Sequence, residues 1–250
     1  MALDAGDLVR SVFDKVTSDI GLKLIAAFFV LQLLNIGSSY SFEVGGPAAA
    51  IGAVVSLAAA VAGILLMIGS FRALDTGELE KQQFTDNIIW PFLRLVGANI
   101  VTTVFVVVAL IPASLIALLT VGGAGVGVTL GSTALTVVVG LLGALLGIGS
   151  LVFVAYAVLA LITALPEIAV NDSRLFEALD NSVQRSSGEK LRMFISLVPV
   201  VLLYLLVLPV SAVAAVAPEA SVVVSPLIAV LSAATTVVLY TTLVEFNQRL

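Results

Sequence analysis

Long apolar stretches constrain what this chain can fold into more than any other feature of its sequence. A run of roughly 18 or more apolar residues is a candidate membrane span, because as a helix it can cross the hydrocarbon core of a bilayer. Apolar residues make up 60% of the chain and charged residues 11%, whereas about 25% of the residues in soluble domains are charged. The sequence therefore predicts an all-α fold, a polytopic transmembrane helical bundle that forms a single integral membrane domain over residues 1–250. We predict six spans, at about 22–38, 48–72, 92–119, 133–165, 193–217 and 222–246.

The distribution of positive charge predicts how these spans are oriented. With six spans, all eleven Lys and Arg residues fall in the N-terminal segment, the two long polar connectors and the C-terminal segment, and none falls in the other three loops. Lys and Arg accumulate on the cytoplasmic side of membrane proteins, so we expect a cell-membrane protein with both termini in the cytoplasm. Dividing 133–165 into two spans would move five of the eleven cations to the outer side. A single span is therefore expected there.

Amphipathic segments precede the first, third and fifth spans. Residues 3–20 place apolar side chains on one helical face and charged side chains on the other. This pattern is typical of an interfacial helix, and equally of a helix packed on the rest of the protein. Similar spacing recurs in the connectors at 71–90 and 166–192, so we predict three hairpins, each preceded by an amphipathic cytoplasmic interfacial helix. The apolar face of the first segment consists of Leu8, Val9, Val12, Phe13, Val16 and Ile20.

Each of these three spans begins with a cation at the expected cytoplasmic interface. The cations are Lys23, Arg94 and Arg192. Trp90 comes just before the third span, and Trp is favoured at the level of the lipid headgroups. We predict these four residues as interfacial anchors.

Small residues recur in the second span at Gly52, Ser56, Ala60 and Gly63. Such spacing lets two helix backbones approach closely. We expect this stripe to pack inside the protein, with a dimer face as the alternative. The Gly-Gly-Pro sequence at 45–47 predicts a helix break just before this span.

The sequence offers few groups for chemistry. It contains no Cys and no His, which excludes thiol nucleophiles, disulfides and His-based acid–base pairs. Its clustered carboxylates lie in the polar connectors, where they are typical of solvated helix faces. Ionisable side chains deep in a membrane mark ion or proton pathways, and none lies near the middle of a predicted span. We therefore predict no enzymatic activity, no metal and no cofactor.

Two further segments bear on ligand binding. Asn99, Thr102 and Thr103 form the best polar cluster within a span, and they are the candidate lining of a cavity. Hydrogen bonds between helices are the simpler role for such residues. The Gly-rich residues 120–133 lack the Lys-Ser/Thr of a phosphate-binding loop, so we expect an outer loop or a re-entrant piece rather than a nucleotide site.

The chain is acidic, with a formal net charge of −5 and a sequence pI of about 4.6. An acidic, Lys-poor membrane protein is typical of the high-salt cytoplasm of halophilic archaea, where charges are strongly screened. An ordinary membrane protein from a GC-rich bacterium shows the same balance. Because the cytoplasmic side has no excess of positive charge, nucleic-acid binding is not expected.

The connector at 166–192 carries a resemblance to a known family. Residues 175–179 (Leu-Phe-Glu-Ala-Leu), followed by Ser182, Gly188 and Arg192, are similar to the segment before the fifth span of a six-span membrane domain. That domain is attached to some glycerophosphodiester phosphodiesterases. The same segment also resembles related stand-alone membrane families of bacteria and archaea. Residues 166–170 fit the same pattern. The chain shows no soluble phosphodiesterase domain and no Asp, Glu and His cluster for its metal, so the resemblance implies a fold and no catalysis.

Three functions remain open at this point. The first is a non-catalytic protein that organises the membrane or binds partners through its surface helices. These partners are membrane lipids, other membrane proteins or a second copy of the chain. The second is a small-solute or lipid transporter or channel, which requires a polar cavity that reaches the middle of the membrane. The third, a membrane-embedded enzyme, requires two ionisable side chains within hydrogen-bonding reach in a cleft.

Overall fold

The computed structural model describes residues 5–104, 107–108, 134, 137–142, 162–186, 193, 195, 197–216 and 221–249. The regular secondary structure of these residues is helical, as the sequence predicts. In chain order the helices are α1 (Ala5–Thr17), α2 (Asp19–Val44), α3 (Gly46–Thr76), α4 (Gln82–Thr85), α5 (Ile89–Val104), α6 (Ala164–Asn171), α7 (Leu175–Ser186), α8 (Val198–Val216) and α9 (Ser221–Arg249). The chain divides into two compact units, one formed by residues 1–96 and 163–250 and the other by residues 97–162.

Within the described residues, three helices are long and apolar enough to cross a membrane. They comprise Asp19–Phe42 in α2, Gly46–Thr76 in α3 and Val224–Arg249 in α9. Two shorter apolar helices, Ile89–Val104 and Val198–Val207, fall in the third and fifth predicted spans. These helices are compatible with the predicted membrane protein. Most of the predicted fourth span and the Gly-rich residues 120–133 lie outside the described residues.

The break between α2 and α3 lies where the sequence predicts it, but α2 is longer than expected. Gly45 adopts a left-handed φ of 73° between the two helices, a conformation that glycine adopts without steric cost. The predicted loop at 39–47 is wrong for residues 39–44, which continue α2. Its serines are accommodated in the helix with their hydroxyls donating to carbonyls of the preceding turn, as Ser39 Oγ does to Asn35 O at 3.0 Å.

α2 and α3 run antiparallel with small residues between them. Ser56 Oγ donates to Ser38 Oγ at 2.8 Å, and a Cβ added at Gly63 would lie 3.3 Å from the Leu31 side chain. Position 38 of α2 thus lies beside position 56 of α3, and position 31 beside position 63, so the two helices have opposite directions. Gly52 is buried on the same seam, as predicted. Ala60 is exposed instead, and its neighbour Ala59 takes the buried position.

An aromatic cluster joins α2, α3 and α9 in the core of the first unit. The Tyr240 ring contacts Phe28 edge-on, with centroids 5.5 Å apart, and lies 4.7 Å from the Phe71 centroid. Phe28 and Phe71 are both buried. Aromatic pairs in such arrangements stabilise a folded protein by more than the burial of their apolar surface alone. The three long helices thus share one core.

α1 packs against this core and also presents an apolar edge. Leu8 and Val12 are buried, whereas Val9 and Phe13 on the adjoining edge are exposed. The burial of Leu8 and Val12 agrees with the packed interpretation of this segment, while the interfacial interpretation of its exposed edge stays a prediction. The helix is shorter than residues 3–20 because Ser18 caps α2, its Oγ accepting from the Gly21 N–H at 3.2 Å.

Candidate functional site at the polar end of the helices

A buried carboxylate fastens the N-terminal helix to the C-terminal one. The Glu245 side chain, on the last turns of α9, is only 4% exposed, and its Oε1 lies 2.6 Å from Lys15 Nζ of α1. Its Oε2 lies 3.0 Å from Arg249 Nη2, one turn further along α9. A buried carboxylate is costly unless it is paired. Two cations compensate this one, and the contact fixes α1 on α9.

Gln248 extends this contact to α3. Its Oε1 accepts from Lys15 Nζ at 3.3 Å, and its Nε2 donates to Asp75 Oδ1 at 2.8 Å. An amide group can accept and donate at the same time. Gln248 therefore bridges α1 and the C-terminal turn of α3.

Arg72 joins α3 to two other segments through backbone carbonyls. Its Nε donates to Ala169 O of α6 at 2.9 Å, and its Nη1 donates to Asp86 O, just after α4, at 2.7 Å. The fork of donors on a guanidinium suits such divergent acceptors. Arg72 thus satisfies carbonyls at the ends of two short helices, which otherwise lack partners.

Asp172 connects the start of α5 to the turn between α6 and α7. Its Oδ1 lies 2.5 Å from Arg94 Nη1, and its backbone carbonyl accepts from the same guanidinium. Its Oδ2 accepts from Asn87 Nδ2 at 3.3 Å. Asp172 and Asn87 both have left-handed φ values, 52° and 45°, and Asn and Asp tolerate this conformation better than most residues. The hydrogen bond between Asn87 and Asp172 joins these two turns.

Glu167 is a second buried carboxylate, in α6. It is 4% exposed, and its Oε1 accepts from Asn181 Nδ2 of α7 at 2.7 Å and from Ser173 Oγ at 3.5 Å. Ser182 of α7 also shares a hydrogen bond with Thr163. These bonds hold α7 against α6.

We call these interacting side chains the polar layer. Its members are Lys15, Arg72, Asp75, Asn87, Arg94, Glu167, Asp172, Asn181, Glu245, Gln248 and Arg249. All of them belong to the first compact unit. Their charged and amide groups are directed at one another or, for Arg72, at backbone carbonyls, so the layer mainly holds helix ends together.

Exposed aromatic side chains flank the polar layer on three separate segments. Phe13 of α1 is 66% exposed, Trp90 at the start of α5 is 59% exposed, and Phe176 of α7 is 77% exposed. In α7, as in α1, part of the apolar face is turned inward and part outward. Ala178 and Ser182 are buried, while Phe176 and Val183, seven residues apart, share the exposed edge. Both surface helices thus present an apolar edge beside polar groups.

Two grooves border α1. A polar groove of about 470 Å³ lies between α1 and the C-terminal turn of α3, with Arg10, Asp14 and Lys15 in its wall. An apolar groove of about 480 Å³ lies on the other side of α1, against α8 and α9. α1 therefore separates a polar surface from an apolar one.

The predicted anchors have distinct environments. Lys23 is exposed and pairs with Asp19, one turn earlier, at 2.5 Å. Trp90 is exposed, and Arg94 belongs to the polar layer. Arg192 lies outside the described residues. The role of these residues as membrane anchors stays a prediction.

The predicted cavity residues lie on α5, in the part that belongs to the second unit. Asn99 and Thr103 are exposed, and Thr102 is half-buried. The grooves described above are lined by other residues. A cavity at this cluster stays a prediction.

The burial of Glu167 and Glu245 was not predicted from the sequence. Both residues adjoin apolar runs, a position that is also typical of a solvated span end. The spacing of Glu245 and Arg249, four residues apart on a helix, signals one of the two ion pairs. Lys15 gives no local signal, because its partner is distant in sequence.

No group of three or more Asp, Glu, His or Cys residues is positioned to hold a metal ion in the part of the chain that the structure describes. Comparison of the chain with family profiles, with curated proteins and with solved structures finds no match. The resemblance of residues 166–192 to a phosphodiesterase-associated membrane domain therefore stays a prediction.

Proposed function

We propose that this chain is a six-span protein of the cell membrane that acts without catalysis, by organising membrane lipids or binding a partner at its cytoplasmic face. The observation that carries this proposal is the set of exposed aromatic residues, Phe13, Trp90 and Phe176, beside the polar layer. Aromatic side chains at the end of apolar helices are typical of the membrane–water interface. The three long apolar helices support the membrane location.

The polar layer supports a non-catalytic role. Catalytic acids and bases need a reacting group within hydrogen-bonding reach, whereas Glu245 and Asp172 are occupied by cations of the same chain. The exposed edges of α1 and α7 remain available for lipid headgroups, another membrane protein or a second copy. The resemblance at 166–192 adds a fold and no activity.

The alternative function is transport of a small solute or a lipid. It draws its support from Asn99, Thr102 and Thr103, which form a polar cluster in the part of α5 that follows Arg94. Uptake or release of a tracer by vesicles that contain the purified protein would favour this alternative, and Asn99→Ala should then reduce the rate.

Cysteine labelling tests the orientation on which the proposal depends. The chain contains no Cys, so each introduced thiol is unique. Val44, 78% exposed at the end of α2, is expected outside, and Glu78, just after α3, is expected inside. A membrane-impermeant maleimide should label Val44→Cys in intact cells and Glu78→Cys only after permeabilisation. The reverse pattern would refute the proposed orientation.

A photo-crosslinking residue at position 176 tests the functional part of the proposal. We expect cross-links to lipid headgroups or to a discrete protein partner. Position 30 on α2, where Val30 is 56% exposed on an apolar helix, is the matched control and should give acyl-chain products. If position 176 gives the same products as position 30, α7 has no interfacial role and the proposal fails.

A further inference from the structure

The apolar groove beside α1 has a lining suited to hydrocarbon. Val9 and Phe13 of α1, Leu202 and Leu206 of α8 and Ala234 of α9 contribute to its walls. Its volume of about 480 Å³ lies within the range of roughly 300–1,000 Å³ that is typical of small-molecule sites. It is formed entirely within the first compact unit.

The lining offers almost nothing to a polar ligand. Among the described residues that form it, only Thr242 has a polar side chain. That hydroxyl already donates to Val238 O at 2.7 Å. A bound water needs two to four polar partners, so the groove selects an apolar occupant.

The groove lies alongside a helix that is long enough to span a membrane. On α9 it extends from Ala234 to Thr242, which corresponds to about 12 Å at 1.5 Å per residue. Leu202 and Leu206 on its rim are exposed. In the proposed membrane location these rim residues face lipid tails, and an unfilled groove would forfeit the dispersion contacts of its walls.

The extent of the groove favours a lipid chain over a helix from another protein. The lining covers about two turns on each of the three helices, whereas a spanning helix of about 20 residues would pack along five or more turns. In the proposed membrane location, lipid tails also surround the exposed rim residues Leu202 and Leu206. A single hydrocarbon chain is much thinner than a helix and can lie along the groove.

We infer that the groove between α1, α8 and α9 binds one acyl chain of a membrane lipid. This inference rests on the proposed membrane location and adds a lipid site to it. α1 forms one wall, and the contact between Lys15 and Glu245 holds it in place. The polar layer and the lipid site are therefore mechanically connected.

Tryptophan quenching by lipids with brominated acyl chains tests the site. The chain has one Trp, so the Trp90→Phe variant has no tryptophan fluorescence of its own. In this background Phe13→Trp places a probe at the rim of the groove. Leu57→Trp, at an exposed position on α3 outside the groove, is the control. In detergent, quenching at position 13 should saturate, with a midpoint at an about tenfold lower brominated-lipid fraction than at position 57.

A second experiment fills the groove with a larger side chain. Ala234→Leu, combined with Phe13→Trp, should abolish the saturable phase, whereas Ala58→Leu on the exposed side of α3 should leave it intact.

If position 13 behaves like position 57, or if Ala234→Leu has no effect, the acyl-chain site is refuted while the membrane location stands. If neither probe is quenched in brominated bilayers, the membrane location itself fails. Quenching that is blocked by dimerisation at raised protein concentration would assign the groove to a second copy and overturn the inference.

Discussion

At the scale of single residues, Glu245 illustrates how a carboxylate is accommodated beside an apolar helix. Removing a charged group from water costs several kcal/mol unless close partners compensate it. Here Lys15 and Arg249 each approach one oxygen of the carboxylate. The same residue therefore stabilises α9 locally and attaches α1 to it.

Replacing Glu245 by Gln should destabilise the protein, because both cations lose their charged partner. Breaking a fully buried pair costs about 3–5 kcal/mol. Lys15 and Arg249 keep 30% and 34% of their side chains exposed, so water partly compensates them, and we expect about 1–3 kcal/mol. For a chain of this size the melting temperature falls by about 2–4 °C per kcal/mol. Thermal unfolding in detergent, followed by circular dichroism, measures the change.

Glu80→Gln is the matched control, because Glu80 is exposed and the substitution removes the same charge. It should leave the melting temperature almost unchanged. Equal melting temperatures for Glu245→Gln and the unmodified protein would show that the buried ion pairs contribute no net stability.

At the scale of secondary structure elements, the sequence predicted helix positions better than helix ends. The break at Gly45 was predictable because Gly-Gly-Pro cannot continue a helix. The extension of α2 to Val44 was not, since serine is typical of loops, whereas here the serines are helical and bond to carbonyls of their own helix. Ala60 was predicted to pack inside the protein, but it is exposed and its neighbour Ala59 is buried instead. The spacing of small residues therefore predicts which positions of a helix are buried only to within about one residue.

A disulfide between α2 and α3 should form in the double variant Ser38→Cys/Ser56→Cys. The two hydroxyl oxygens are 2.8 Å apart, which brings their Cβ atoms near the roughly 3.5–4.5 Å that a disulfide requires. After mild oxidation, neither thiol should react with a polyethylene glycol maleimide, and reduction should restore two additions. Mobility on a denaturing gel reports the number of additions.

Ser38→Cys/Leu57→Cys is the control for this register. Leu57 adjoins Ser56 in sequence but is 69% exposed, away from the seam. It should stay reactive under the same oxidation. Protection of the 38/57 pair instead of the 38/56 pair would show that α3 is rotated relative to α2.

At the scale of the whole molecule, contacts between distant segments are what the sequence could not predict. Composition and run length were sufficient to predict helices that can cross a membrane. The contact between Lys15 and Gln248, however, joins residues 233 positions apart, and no periodicity within either segment indicates it. The same holds for Arg94 and Asp172, which connect two polar connectors. Charge counts placed these residues on one side of the predicted membrane, whereas their pairing follows only from the packing of the helices.

Deleting residues 2–17 should reveal whether the N-terminal helix is held by this long-range pairing. The deletion removes Lys15 and the buried Leu8 and Val12, so it should lower the melting temperature while α2, α3 and α9 remain intact. In the shortened chain Glu245 keeps only Arg249 as a charged partner. Glu245→Gln should therefore cost less there than in the full chain. Groups in direct contact typically show coupling of about 0.5–3 kcal/mol.

Unfolding free energies of four proteins measure this coupling: the full and shortened chains, each with and without Glu245→Gln. Glu80→Gln in both chains is the control, and its small effect should be the same in each. A smaller cost of Glu245→Gln in the shortened chain would locate the coupling in the contact between α1 and α9. An identical cost in both chains would mean that Lys15 contributes nothing through Glu245. The apolar contacts of Leu8 and Val12, with the hydrogen bond from Lys15 to Gln248, would then hold α1 and with it the wall of the proposed acyl-chain groove.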